Sequence, residues 1–162
     1  MGRARAQRRP GDAPAHAGAH RLRRGPGALD PALVVVSYGA NELNDGEFDL
    51  AAYAADQDRV VARLRQAVPR ADCLITGPPD MLRGGREPPP LADAVYQIQR
   101  QVADQHGCAF FDVRAVMGGP GSIRAWRRQG LAGRDFVHLS GRGYALLGEA
   151  LLGALLAAHE RR

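Results

Sequence analysis

With 162 residues the chain can bury one core and is short for two. All 22 basic residues are arginines, and the net charge of +5 lies in the first 30 residues, where seven Arg face only Asp12 and Asp30. The rest is electroneutral, so no nucleic-acid partner is expected, and no run of 18 apolar residues offers a membrane span.

Residues 1–30 mix Arg, Gly, Pro, Ala and His without periodicity, with Leu22 and Leu29 as the sizeable aliphatic residues. They cannot build a core element, so an irregular segment is expected here and an ordered domain over 31–162. The arginines are not followed by the apolar stretch of a secretory signal, which reads as a soluble, unexported chain.

Leu33–Val36 is a continuous apolar run, as in a parallel strand covered on both faces. A polar loop follows, then a helix from about Leu50 to Val68 with Tyr53, Val60, Val61, Leu64 and Val68 on one face and Pro69 at its end. Cys73–Thr76 reads as the second strand. After a Gly/Pro-rich loop, Leu91, Val95, Ile98 and Val102 mark a second helix closed by Gly107, and Ala109–Val113 a third strand. Cys73 and Cys108 sit in short apolar runs and read as small buried hydrophobes, with no disulfide framework implied.

Met117–Gly133 is a long Gly-rich connection with a short amphipathic piece around Ile123 and Trp126. Ser140 can cap a last helix bearing Tyr144, Leu147, Leu151 and Leu155. The alternation predicts an α/β domain of three layers (α/β/α) with a parallel sheet, and ligands bind such sheets beyond the carboxyl ends of the strands.

At the first of those ends stands Gly39-Ala40-Asn41-Glu42. The amide of Asn41 is a candidate oxyanion donor, because a fixed neutral N–H stabilises developing charge without exchanging a proton; Asn is also an ordinary turn residue. Near the other end of the chain stands Asp135-Phe136-Val137-His138, just before the last helix. A carboxylate three residues before a histidine can accept from Nδ1 and leave Nε2 free as a base near neutral pH, and the same two residues can also serve as helix-cap and surface groups.

Together and in this order the two motifs resemble the SGNH (GDSL-like) hydrolases, over roughly residues 29–158. The resemblance implies a flavodoxin-like sheet, Asn41 in the oxyanion hole, Asp135 and His138 as acid and base, Gly39 and Glu42 in substrate binding, and no metal or organic cofactor. Glu42, where Asp is commoner, resembles a branch of carbohydrate and peptidoglycan O-acetyl esterases and implies a small-molecule or carbohydrate ester substrate. The family's Gly-Asp-Ser strand, which carries the nucleophile, and the strand after it have no counterpart here.

Gly11-Asp12-Ala13 has alanine at the nucleophile's place and no apolar strand before it. Ser37 ends a strand, Ser122 lies in the Gly-rich connection and Ser140 is a cap, so the nucleophile is not found. His16, His20, His106 and His159 have bland settings, and no His/Cys/Asp cluster has metal-ligand spacing. The first strands of the fold are thus expected to be missing, leaving Leu33–Val36 as an edge without protective charge or proline, and the chain is expected to be inactive as it stands. The alternative is a non-catalytic binding domain whose basic arm would release an acidic partner as salt rises.

Overall fold

The computed structural model describes residues 30–45 and 48–161; the irregular segment expected over 1–30 lies outside them apart from Asp30. Three parallel strands, β1 (Leu33–Ser37), β2 (Asp72–Thr76) and β3 (Ala109–Phe111), form a sheet in the order β1-β2-β3. Val34 pairs with Cys73, and Val36 with Ile75, which pairs in turn with Phe110. Because side chains alternate between faces, these residues share one face of the sheet.

That face is covered by two helices, α2 (Leu50–Ala67) and α3 (Ala92–His106). Val61, Leu64, Ile98, Val102 and Ala103 meet Val34, Val36, Ile75 and Phe110 in one cluster. α2 begins where Asp49 accepts from the Ala51 and Ala52 N–H groups at 2.8 and 3.2 Å. α3 ends on Gly107 at φ +62, a left-handed cap that glycine adopts without a Cβ clash.

Beyond β3 come two short helices, α4 (Val113–Met117) and α5 (Ile123–Arg128), then the long α6 (Gly141–Glu160), which completes the three layers. Leu82, Met117, Ile123, Trp126, Leu131 and Leu139 form a second cluster under the loops, packed by Val113, Phe136 and Leu147. Each large side chain buried there stabilises the fold by about 1.5–3 kcal/mol.

Three expectations are corrected. Asn41 does not sit in a loop: Ala40–Asp45 is a helix, α1, one and a half turns long and too short to show an apolar period. β3 stops at Phe111, because Asp112 accepts from the Ala115 N–H at 2.8 Å and so turns Val113 into the start of α4. Cys73 and Cys108 are joined by a disulfide, with Cα atoms 4.6 Å apart. Leu74 pairs with Ala109, so the residues preceding each stand side by side at the start of adjacent strands.

β1 is an edge of this sheet among the described residues, with Val35 49% and Tyr38 50% exposed. The outer side of α6 likewise exposes Leu152 and Leu156.

Candidate active site

β1 delivers the chain to its carboxyl edge at Tyr38 and Gly39, and α1 starts there. Gly39 holds φ +103, and a Cβ at that position would meet Val95, the Gln99 amide and the Tyr53 hydroxyl at 3.1–3.2 Å, so only glycine fits without displacement. The Glu42 carboxylate turns back to accept from the Gly39 N–H at 3.1 Å, while the Leu43 N–H donates to the Gly39 carbonyl at 3.0 Å. This is the reciprocal half of a capping box, and it fixes the helix start around Asn41. Asn41 itself is exposed, and its amide has no hydrogen-bond partner among the described residues.

Beneath this turn lies a polar group that periodicity alone does not reveal. Gln99 on α3 is fully buried and its Nε2 donates to the Tyr38 carbonyl at 2.9 Å and to the Tyr53 hydroxyl at 3.0 Å. Burial, followed by the Glu42 charge, pushes the Tyr53 phenol well above its usual range, so it remains a neutral partner. A polar residue on an otherwise apolar helix stripe was the available signal.

The second half of the site is the loop from Gly133 to Ser140. Asp135 Oδ1 accepts from the backbone N–H groups of Val137 and His138, both at 3.0 Å, and Oδ2 stands 2.8 Å from His138 Nδ1. The Val137 N–H bond first, then the His138 ring and backbone, hold the Asp135 carboxyl down to about 2. An ionised partner at Nδ1 sets that nitrogen as the donor and leaves Nε2 with a lone pair.

The loop is tied down on three sides. Phe136 takes φ +58, rare for a bulky residue, while its carbonyl accepts from Leu82 N–H at 3.0 Å and its ring packs in the second core cluster. The Gly133 N–H donates to the His138 carbonyl at 2.7 Å. Ser140 caps α6 by accepting from Gly143 N–H at 3.2 Å and donates to the Gly130 carbonyl at 2.8 Å. A Cβ on Gly143 would lie 2.1 Å from the Leu131 carbonyl oxygen, so the helix can approach this closely only on glycine.

A cleft of about 320 Å³ is shared by the two halves: Asp135 and His138 line it together with Asn44 of α1, Gly84 and Gly85. Asn41, one turn before Asn44, belongs to the same end of the sheet but does not line this cleft. None of the described serine hydroxyls is hydrogen-bonded to His138. Ser140 is the cap, and the Ser122 hydroxyl faces the Asp80 carboxylate at 3.5 Å. Asp80 is buried and accepts from the Ile123 N–H at 2.9 Å, a structural role that the sequence reading missed. Among the described residues no hydroxyl or thiol lies within hydrogen-bond reach of the His138 ring, no His/Cys/Asp/Glu group could hold a metal, and no helix is long and apolar enough to cross a membrane.

The family model of the GDSL-like lipase/acylhydrolase family matches residues 4–146. Among solved structures, a peptidoglycan O-acetylesterase superposes with TM-score 0.78 at 32% identity; the match covers 81% of this chain but 39% of that one. A lipase/acylhydrolase from Enterococcus faecalis gives TM-score 0.63 at 21% identity, covering 87% of this chain and 69% of that one. A GDSL-like lipase from Bacteroides thetaiotaomicron gives 0.52 at 18%, covering 86% and 69%. No match was found among curated protein sequences. The three-layer fold and the family model agree: the chain belongs to the GDSL-like lipase/acylhydrolase family, the SGNH hydrolases.

Proposed function

We propose that this chain carries the acid–base half of an SGNH ester hydrolase acting on O-acyl, preferentially O-acetyl, groups of carbohydrates. His138 is the base, Asp135 orients it, and Asn41 donates to the oxyanion. Gly39 and Glu42 set the turn that presents Asn41 to the substrate. The observation that carries the reading is the Asp135–His138 pair, at 2.8 Å through Nδ1, which leaves Nε2 free beside a cleft shared with α1. The likeness to a peptidoglycan O-acetylesterase supports an O-acetylated sugar polymer as the substrate class.

In the reaction a serine hydroxyl would pass its proton to His138 Nε2 as its oxygen attacks the ester carbonyl, while Asn41 stabilises the resulting negative oxygen. His138 would then return the proton to the departing sugar hydroxyl, and water would release acetate from the acyl-serine by the same steps. No step draws on a metal or an organic cofactor. Among the described residues no serine is hydrogen-bonded to His138, and on this reading the two halves of the site are idle without one. Loss of a nucleophile alone removes many orders of magnitude of rate in such systems.

The test is hydrolysis of p-nitrophenyl acetate by the 162-residue chain, by its His138→Ala variant, and by a chain joined to an upstream Gly-Asp-Ser strand of the family. The short chain should show no His138-dependent turnover and the extended one should. An acyl-enzyme burst from the short chain, abolished by His138→Ala, would overturn the idle site and direct attention to Ser37 and Ser122. An extended chain that carries the serine and still shows no His138-dependent turnover would overturn the hydrolase reading in favour of a binding domain, a reading favoured by the lack of any hydrogen bond between a described serine and His138.

A further inference from the structure

The cleft beside His138 does not end there. A second hollow, about 740 Å³, adjoins it through the shared residues Asn44 and Gly84 and is lined by Arg83, Arg86 and Glu87 with two prolines. Arg134 lines the first hollow beside Asp135. Three arginines therefore border the two adjoining hollows, against Glu87 in the second and Asp135, already paired with His138, in the first.

These arginines differ from others in the domain. Arg59, Arg70, Arg100 and Arg114 each pair with a carboxylate. Among the side chains that are described, that of Glu87 included, no carboxylate pairs with Arg83, Arg86 or Arg134, although the Arg83 and Glu87 backbones are bridged to each other. The turn that carries Arg83 and Arg86 is itself fixed: the Arg83 N–H donates to the Glu87 carbonyl at 2.8 Å, and Arg124 donates to the Arg86 carbonyl at 2.7 Å. Gly84 and Gly85, at φ +55 and +70, line the hollow beside His138 without a side chain, and Gly84 lines the second hollow as well. Like charges gathered on a fixed turn repel one another, and a bound anion would offset that repulsion with charge-assisted, bidentate hydrogen bonds.

We infer that this groove is an anionic-sugar subsite: it takes a carbohydrate whose carboxylate or phosphate sits on Arg83, Arg86 and Arg134 while its ester reaches toward His138. The inference rests on the hydrolase reading for the position of the ester, but the subsite itself is a matter of binding. It gives the groove a polarity, with the reacting group at the Asp135 end and the charged group at the Arg83 end. A neutral sugar ester would fill the same space without offsetting the arginine charges.

The test is equilibrium binding to the 162-residue chain at low salt, followed by calorimetry and by amide shifts, with three probes that share one sugar ring. They are N-acetylmuramic acid, which carries a carboxylate, N-acetylglucosamine 6-phosphate, and neutral N-acetylglucosamine. At least one anionic sugar should bind tenfold or more tightly than the neutral one, with an affinity that falls as salt rises, and the tighter of the two identifies the charged group. Arg83→Gln and Arg134→Gln should each weaken that binding several-fold, whereas Arg59→Gln, an arginine of α2 that pairs with Asp56 and lines neither hollow, should leave it unchanged whether or not the hydrolase reading holds. Equal binding of the neutral sugar, no detectable binding of any probe, or anion binding untouched by both arginine variants would overturn the subsite.

Discussion

The Gln99 side chain donates to the Tyr38 carbonyl at 2.9 Å across 61 positions of sequence, and with the Tyr53 hydroxyl it forms the buried support of the turn that presents Asn41. Among the described residues its Oε1 has no hydrogen-bond partner. Replacing the amide by a carboxyl keeps the shape and changes the chemistry. Gln99→Glu puts an acid in a fully buried place, where its pKa is raised above the ordinary value of about 4.3. Relative to the parent at the same pH, the variant should be nearly neutral below about pH 4 and lose stability as pH rises through the raised pKa. At neutral pH the penalty should reach about 3 kcal/mol. Urea melts of both proteins at pH 4 and pH 8 measure this, and an equal difference at the two pH values would show that the side chain is solvated.

Asp135 should titrate far below an ordinary carboxyl. Its two backbone N–H bonds and the His138 ring favour the charged form, so the folded midpoint is about 2 against an unfolded value of 3.8. The sign follows from linkage: the contribution is present above 3.8 and is lost as pH falls toward 2. Both side chains of the pair are at least half exposed, so the gain in stability is small after solvent screening. Following the Asp135 carboxyl carbon by NMR from pH 5 to pH 1.5 checks the midpoint. A His138→Ala variant should move it upward by less than the full difference, since the Val137 N–H bond remains the largest cause. A parent midpoint near 4 would mean that the loop is not held as described.

How much of this was legible depended on element length. β1, β2, α2, α3 and α6 announce themselves because apolar residues recur over several turns or fill a whole strand, and Gly107 and Ser140 mark ends by conformation and capping chemistry. α1 and α4 have six and five residues, too few for a period, and are started by local hydrogen bonds to Glu42 and Asp112 instead. The Asp-x-x-His spacing carries its own geometry, because three residues are what an Asx turn spans, so the pairing of Asp135 with His138 could be anticipated. The support by Gln99 and the cap by Asp80 depend on strand and helix neighbours distant in sequence, which no local pattern encodes. The expectations placed on residues 1–29 lie outside the described part of the chain.

The disulfide between Cys73 and Cys108 is another such long-range fact, and it can be tested directly. It closes a loop with a sequence separation of 35, which in the chain-entropy account stabilises the fold by about 3–4 kcal/mol. Thiol titration of the unfolded, oxidised protein should find no free cysteine, and mass spectrometry should find one Cys73–Cys108 peptide. Cys73→Ala/Cys108→Ala should unfold at markedly lower urea. Two titratable thiols in protein prepared under oxidising conditions would refute the bond.

The apolar residues left outside make the final prediction. Val35 and Tyr38 on the β1 edge and Leu152 and Leu156 on α6 are each about half exposed. An unpaired strand edge offers a row of backbone donors and acceptors, and two exposed leucines one helical turn apart offer a separate hydrophobic drive. Half of each leucine's transfer energy has therefore not been gained on folding, and a polar replacement should cost the domain little while removing that drive. Leu152→Lys/Leu156→Lys should change the urea midpoint only slightly, since single surface substitutions stay within about 0.5 kcal/mol. The same change should shift the protein toward a monomer in sedimentation at tens of micromolar, where the parent should associate. A parent that stays monomeric at those concentrations would show that the exposed face drives no association. A Lys variant that unfolds would show that Leu152 and Leu156 are more deeply packed than their exposure indicates.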